Sequence, residues 1–249
     1  MWNLTLISAN LTYMQNFWDK REILVSITTI GNGWKEKIKE IKKLKLEKVA
    51  LFLTGLEYRN INKKELFSLL DDTSIKEIPF VHLMNKNTPE DIKYLSKRFK
   101  TKVFNIHSEK QYSLKYNLSQ FKKSIYIENI FRYVPDIKEI EQFAGVCIDI
   151  SHLEIAKYRY PKIYEKTIKA LDQVKCGCNH ISSYKENAIE DARYIKKSSH
   201  FFTNLSQFDY LLGYPKKYFS NLIALELENP ISEQLKARKY IINLLKNKA

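Results

Sequence analysis

The sequence predicts an α/β protein, a single (β/α)8 TIM barrel over residues 1–249, and three observations carry that reading. Short β-rich runs alternate with amphipathic Lys/Glu-rich segments along almost the whole chain, the pattern of βα units around a parallel sheet. The β-rich runs number eight. A chain of 249 residues has the usual size of one such barrel, whereas two domains cut from it would each hold a modest core.

Runs rich in Val, Ile, Leu and Phe place the strands at ILVSIT (23–28), VALFLT (49–54), EIPFVHLM (77–84), KVFNIH (102–107), SIYIENI (124–130), GVCIDIS (145–151), VKCGCNHIS (174–182) and LIALELE (222–228). Helical spacing of apolar residues fills the gaps at 34–44, 63–70, 89–99, 136–142, 161–172 and 232–246, with a weak helix near 114–121. Pro89 and Pro161 open two of these helices, where the missing N–H has no helical partner to lose. Residues 184–220 exceed an ordinary βα connection and are expected to fold over the strand ends as part of the site. The first 20 residues fit no strand and are expected to plug the barrel bottom or pair at its edge.

With 44% apolar and 28% charged residues and no apolar run near the roughly 20 needed to cross a bilayer, the chain reads as a soluble protein with no membrane partner. Residues 1–9 are too short and polar for a signal peptide, so a cytoplasmic location is expected. The three cysteines, Cys147, Cys176 and Cys178, cannot all pair, which suits a reducing compartment. A net charge of +14 would attract nucleic acid or phosphate, but most of the excess is lysine spread along helices such as KEKIKEIKKLKLEK (35–48), which reads as a solvated face.

The chemistry-bearing residues gather at one end. Of the five histidines, His82, His107, His152, His180 and His200, four fall at or just past the carboxyl end of a predicted strand, where barrel enzymes place their sites. Glu128, Asp149 and Glu226 occupy matching positions. Inward-facing acids need cations, and the neighbours offered are imidazoles, so the pattern points to a divalent metal such as zinc, manganese or iron(II). Strand alternation puts Cys147 inward with Asp149, and Cys176 and Cys178 inward with His180, as small lumen fillers; a zinc site at Cys176, Cys178 and His180 is disfavoured because side chains successively deeper in one strand do not converge. Glu228 shares the parity of Glu226, and either can be the last-strand ligand.

From about residue 75 onward the ordered motifs VHLM, FNIH, ENI, DISH, NHIS, SSHFF and ALELEN together resemble the xylose isomerase-like barrel superfamily, which includes sugar isomerases and epimerases and endonuclease IV, an AP endonuclease. In the isomerase branch the resemblance implies one metal (Zn, Mn or Mg) held by Glu128, Asp149, His180 and Glu226, with Glu128 and Glu226 moving a proton through an enediolate and His82, His107 and His152 binding a sugar or sugar phosphate. Rim lysines such as Lys110 or Lys185 could hold the phosphate. In the endonuclease IV branch it implies two or three zinc ions, with His82, His107, His152 and His200 as further ligands and abasic-site DNA as substrate. That branch's Asp-x-His motif reads Ser198-Ser199-His200 here, which leaves a third zinc only two protein ligands. The short loops after the first four strands also suit a small substrate better than a bent duplex. Sugar chemistry is therefore the preferred expectation, the zinc phosphodiesterase the alternative, and a purely binding barrel the third reading. The oligomeric state is not legible.

Overall fold

The computed structural model describes residues 17–59, 61–189 and 192–247. All strands are parallel and lie in one nine-stranded sheet that curls into a nearly closed (β/α)8 barrel. The ninth strand arises because the first is interrupted at Val25. Its leading half, β1 (Glu22–Leu24), pairs with the last strand β9 (Leu222–Leu225), and its trailing half, β2 (Ser26–Thr28), pairs with β3 (Ala50–Phe52). The intervening order is β4 (Phe80–His82), β5 (Val103–His107), β6 (Ile125–Glu128), β7 (Val146–Asp149) and β8 (Cys176–Ile181).

Beyond Leu24, side chains complete the closure that backbone pairing leaves open. Ser26 Oγ donates to Leu225 O, and Thr28 Oγ1 to Leu227 O at 2.9 Å. The buried amide of Gln234 accepts from Ser26 N at 2.8 Å and donates toward Ser26 O and Leu227 O, both at 3.1 Å. A buried polar group satisfied on every side is a fixed joint, so the two ends of the sheet are held in register.

The helices are α1 (Trp34–Leu44), α2 (Gly55–Tyr58), α3 (Lys63–Asp71), α4 (Pro89–Phe99), α5 (Ile137–Ile140), α6 (Ile150–Arg159), α7 (Pro161–Leu171) and α8 (Ile231–Lys246). Their starts are chemically marked. Asn62 accepts from the amides of Lys64 and Glu65, and Thr88 forms a reciprocal box with Asp91 ahead of Pro89. Among the described residues, no helix is long and apolar enough to cross a membrane.

Several expectations change. The weak helix at 114–121 is replaced by loop and a short 3-10 turn, Ser119–Ser124, where the Asn117 side chain takes the Ser119 amide that a helix would have used. Helix α6 is unforeseen, because its first residues prolong the apolar run of β7 with no loop between. Residues 1–16, most of the segment expected to plug or edge the barrel, lie outside the described residues; Trp18 is buried, edge-on to Phe219 at 5.1 Å.

The cysteine alternation also breaks. Val146 is the register partner of Cys176 but Cys147 of Cys178, so β8 carries an extra residue there. That bulge turns Cys176 out to the helix-side core, while Cys147 and Cys178 stay in the lumen with Ala50, Phe52, Phe80 and Ala224. A Cβ at Gly177 would lie 1.9 Å from the Tyr126 ring, so glycine is what lets Tyr126 cover the bulge. All three cysteines are free.

Candidate functional site

Above that lumen layer the strand ends bring the predicted imidazoles and carboxylates together. Register does much of the work: His107 is the direct partner of Glu128, and Asp149 of His180. Glu128 is the hub. Its carboxylate lies 3.5 Å from His82 Nδ1, 3.4 Å from His180 Nδ1, 3.5 Å from His152 Nδ1 and 3.8 Å from His107 Nε2. His180 Nδ1 is also 3.4 Å from Glu226 and 4.0 Å from Asp149.

Neighbouring amides orient this cluster. Asn105 Oδ1 accepts from His180 Nε2 at 3.2 Å, while Asn105 Nδ2 donates to Glu128 at 2.8 Å. With Nε2 held by Asn105, the His180 ring turns Nδ1 toward Glu128, Asp149 and Glu226. Asn129 brackets Asp149, accepting its N–H at 2.8 Å and donating to its carbonyl at 3.1 Å. Asp149 Oδ1 caps α6 by accepting from His152 N at 2.9 Å and from Ser151 Oγ, which leaves Oδ2 facing the cluster. His152 Nδ1 donates to Asn129 O at 3.0 Å, so Nε2 is its available nitrogen.

Glu226 and Glu228, equivalent by parity, separate here. Glu228 accepts from Gly31 N at 2.9 Å and pairs with the buried Lys37 ammonium at 3.0 Å. Glu226 has no such cation among the described residues and faces His180. His200 comes to the same rim, its Nδ1 3.3 Å from both Ser182 Oγ and Glu226 O.

Charge and burial decide what this cluster can hold. Glu128, Asp149 and Glu226 are buried, and no Lys or Arg pairs with them among the described residues. Asp149 Oδ2, His180 Nδ1, His107 Nδ1 and both ring nitrogens of His82 make no hydrogen bond there. Burial pushes His82 down to about 3 and lowers His107, so both rings are neutral lone-pair donors. Burial raises Asp149, whereas at Glu128 the surrounding histidines outweigh burial and hold the carboxylate well below its ordinary range. At Glu226, His200 and His180 overcome burial and bring it to about 2. Three buried carboxylates with no Lys or Arg beside them among the described residues, and the bare ring nitrogens of His82, are the chemistry of a cation site, and the buried His, Glu and Asp groups could hold a metal ion.

A cavity of about 340 Å3 opens onto the cluster, in the size range of small-molecule sites. Glu128, Glu226, His107, His152 and His200 line it, while His82, Asp149 and His180 lie buried beneath. Much of the rest of the wall was not foreseen: Gln111 and Tyr112 after β5, and Phe131, Arg132 and Tyr133 after β6. The loop after β5 is therefore not negligible. Conversely, residues 184–220 form less of a lid than expected. Of the described ones only His200 reaches the cavity, while Phe202, Phe208, Leu211 and Tyr214 pack into the core. Lys110 is paired with Asp136 at 2.7 Å and Lys185 donates to Lys196 O at 3.1 Å, so neither stands out as a phosphate anchor.

Fold and site together define a (β/α)8 barrel with a candidate metal centre at the carboxyl-terminal ends of its strands. No protein-family model and no curated protein matches the chain.

Proposed function

We propose that this chain is a divalent-metal-dependent isomerase or epimerase of the xylose isomerase-like kind, acting on a sugar or sugar phosphate. One observation carries the reading: three buried carboxylates converge on Nδ1 of His180, at the base of a cavity sized for one small molecule. Glu128, Asp149, His180 and Glu226 would hold a single ion, zinc, manganese or magnesium. Such an ion, when bound, acidifies a C–H next to a carbonyl and steadies the negative charge that develops. Glu128 and Glu226 reach the cavity as carboxylates, the protonation state needed to take that proton and return it. His107 and His152 line the same space and bind substrate oxygens.

The zinc phosphodiesterase is kept as the second reading on a specific observation, the bare Nδ1 of His82 and the Nε2 of His107, 3.5 and 3.8 Å from the Glu128 carboxylate. Those atoms suit a second ion bridged through Glu128. A third ion is poorly served, because Ser198 turns its hydroxyl to Ile195 O at 2.7 Å. Metal analysis of protein purified without added metals should find about one ion per chain, and a His82→Ala, His107→Ala double variant should keep it while turnover falls or KM rises. Loss of about one zinc equivalent in that variant, with cleavage of abasic-site DNA by the wild type, would replace the isomerase reading by the endonuclease one.

A further inference from the structure

A second cavity, of about 260 Å3, adjoins the one above the metal cluster and has no part in the metal reading. The two share Gln111, Glu128, Ile130 and Tyr133 as walls, so both lie against the strand end that carries the central carboxylate. Their linings differ in chemistry. Histidines, Glu226 and Arg132 line the first, whereas the second takes Ile127, Val134 and Pro135 and no histidine.

The polar residues that belong to the second cavity alone, Ser108 and Lys110, are already engaged. Ser108 Oγ donates to Glu139 Oε2 at 2.5 Å, and the next amide, Glu109 N, donates to Glu139 Oε1 at 2.7 Å. Lys110 Nζ pairs with Asp136 at 2.7 Å, and Asp136 in turn caps α5 by accepting from Lys138 N. These bonds satisfy the polar groups within the protein and fasten the loop after β5 to the start of α5. The cavity is therefore pre-formed, and what it offers a ligand is its apolar wall. Two consecutive residues of that wall, Tyr133 and Val134, are 62% and 40% exposed, and adjacent apolar surface left in water beside a cavity marks a binding site.

From this we infer that the second cavity is a subsite for an apolar group, and that the molecule bound at the metal centre carries an aromatic ring or a branched aliphatic group beside its metal-binding oxygens. Size agrees, since an apolar cavity of about 150 Å3 is enough to take up benzene. Position agrees as well, because the shared wall at Glu128 and Gln111 puts the apolar group next to the oxygens held in the first cavity. A bare sugar, with a hydroxyl on nearly every carbon, has nothing to match this wall. The inference rests on the metal centre proposed above and is independent of the choice between isomerase and phosphodiesterase.

The test uses the Zn2+-loaded protein and a pair of hydroxamic acids, each of which takes a divalent ion through adjacent oxygens: acetohydroxamic acid, with a methyl group, and benzohydroxamic acid, with a phenyl ring. Calorimetric titration should show benzohydroxamic acid binding at least about tenfold more tightly, as expected for a ring buried against an apolar wall. Val134 lines the second cavity and not the first, so a change there separates this subsite from the Tyr112 and Phe131 side of the first. Val134→Asn should lose most of the gain and Val134→Ile should keep it, with acetohydroxamic acid affinity and Zn2+ content unchanged. Equal affinities for the two acids, or a gain that survives in Val134→Asn, overturns the inference. So does sedimentation that finds wild type a dimer and Val134→Asn a monomer, which would give the apolar patch to a second copy of the chain. Failure of the wild type to hold Zn2+ would remove the metal centre itself and the inference with it, an outcome that zinc content alone tells apart from the others.

Discussion

Replacing Asp149 by Asn, or His180 by Gln, is expected to lower metal affinity by at least about 100-fold and activity by at least a comparable factor, with the barrel intact. The size of the effect follows from which atoms are lost. Asp149 Oδ1 is occupied by the His152 amide and the Ser151 hydroxyl, so Oδ2 is the atom it offers an ion. Asparagine keeps the cap on α6 but puts an amide NH2 or a neutral oxygen where the charge was. His180 presents Nδ1 because Asn105 holds its other nitrogen, and glutamine cannot reproduce that ring geometry. The two variants should differ once metal is stripped. Chelation leaves wild type with three buried carboxylates around His180, and Asp149→Asn removes one of them, so chelated Asp149→Asn should melt at or above chelated wild type. Full metal occupancy in both variants would show that these residues are not the ligands.

Much of the site was legible in the sequence because strand ends convert order into place. Once eight parallel strands are recognised, a His or acid at each carboxyl end must fall on one rim, and the pairings His107 with Glu128 and Asp149 with His180 follow from neighbouring registers. What was not legible depends on packing that has no local signature. The bulge that turns Cys176 outward exists because Gly177 admits the Tyr126 ring, a contact with a different strand. Helix α6 was concealed because Ile150, Leu153, Ile155 and Ala156 are all buried, so the apolar run continues from strand to helix without a break. Asn105 shares the inward parity of His107, which was a usable signal, but its role lies in a hydrogen bond to a strand 75 residues away. Lys37 misled most directly: it sits in a lysine-rich stretch that reads as solvated, yet it is 2% exposed.

That lysine is expected to carry the largest stability effect outside the metal cluster. Lys37 Nζ donates to Glu228 Oε2 and to Leu227 O, each at 3.0 Å, and to Thr28 Oγ1. Burial pushes its ammonium below the ordinary lysine range, and Glu228 pulls against that shift. Lys37→Met keeps the apolar stem but leaves Glu228 buried beside only the Gly31 amide, and breaking one side of a buried pair costs about 3–5 kcal/mol. That is a large share of the roughly 5–15 kcal/mol a domain has, and the urea midpoint should fall accordingly. Glu228→Gln in the same chain removes the stranded charge while still accepting from Gly31 N, so the double variant should recover most of the loss. Function should follow stability here. Glu228 N donates to His200 O at 2.6 Å, and Leu227, which Lys37 grips, is the next residue after Glu226, so the pair fixes both Glu226 and His200 at the cavity. Lys37→Met should therefore weaken metal binding under conditions where it remains folded. An unchanged urea midpoint would mean that the pair is not the clamp its burial implies.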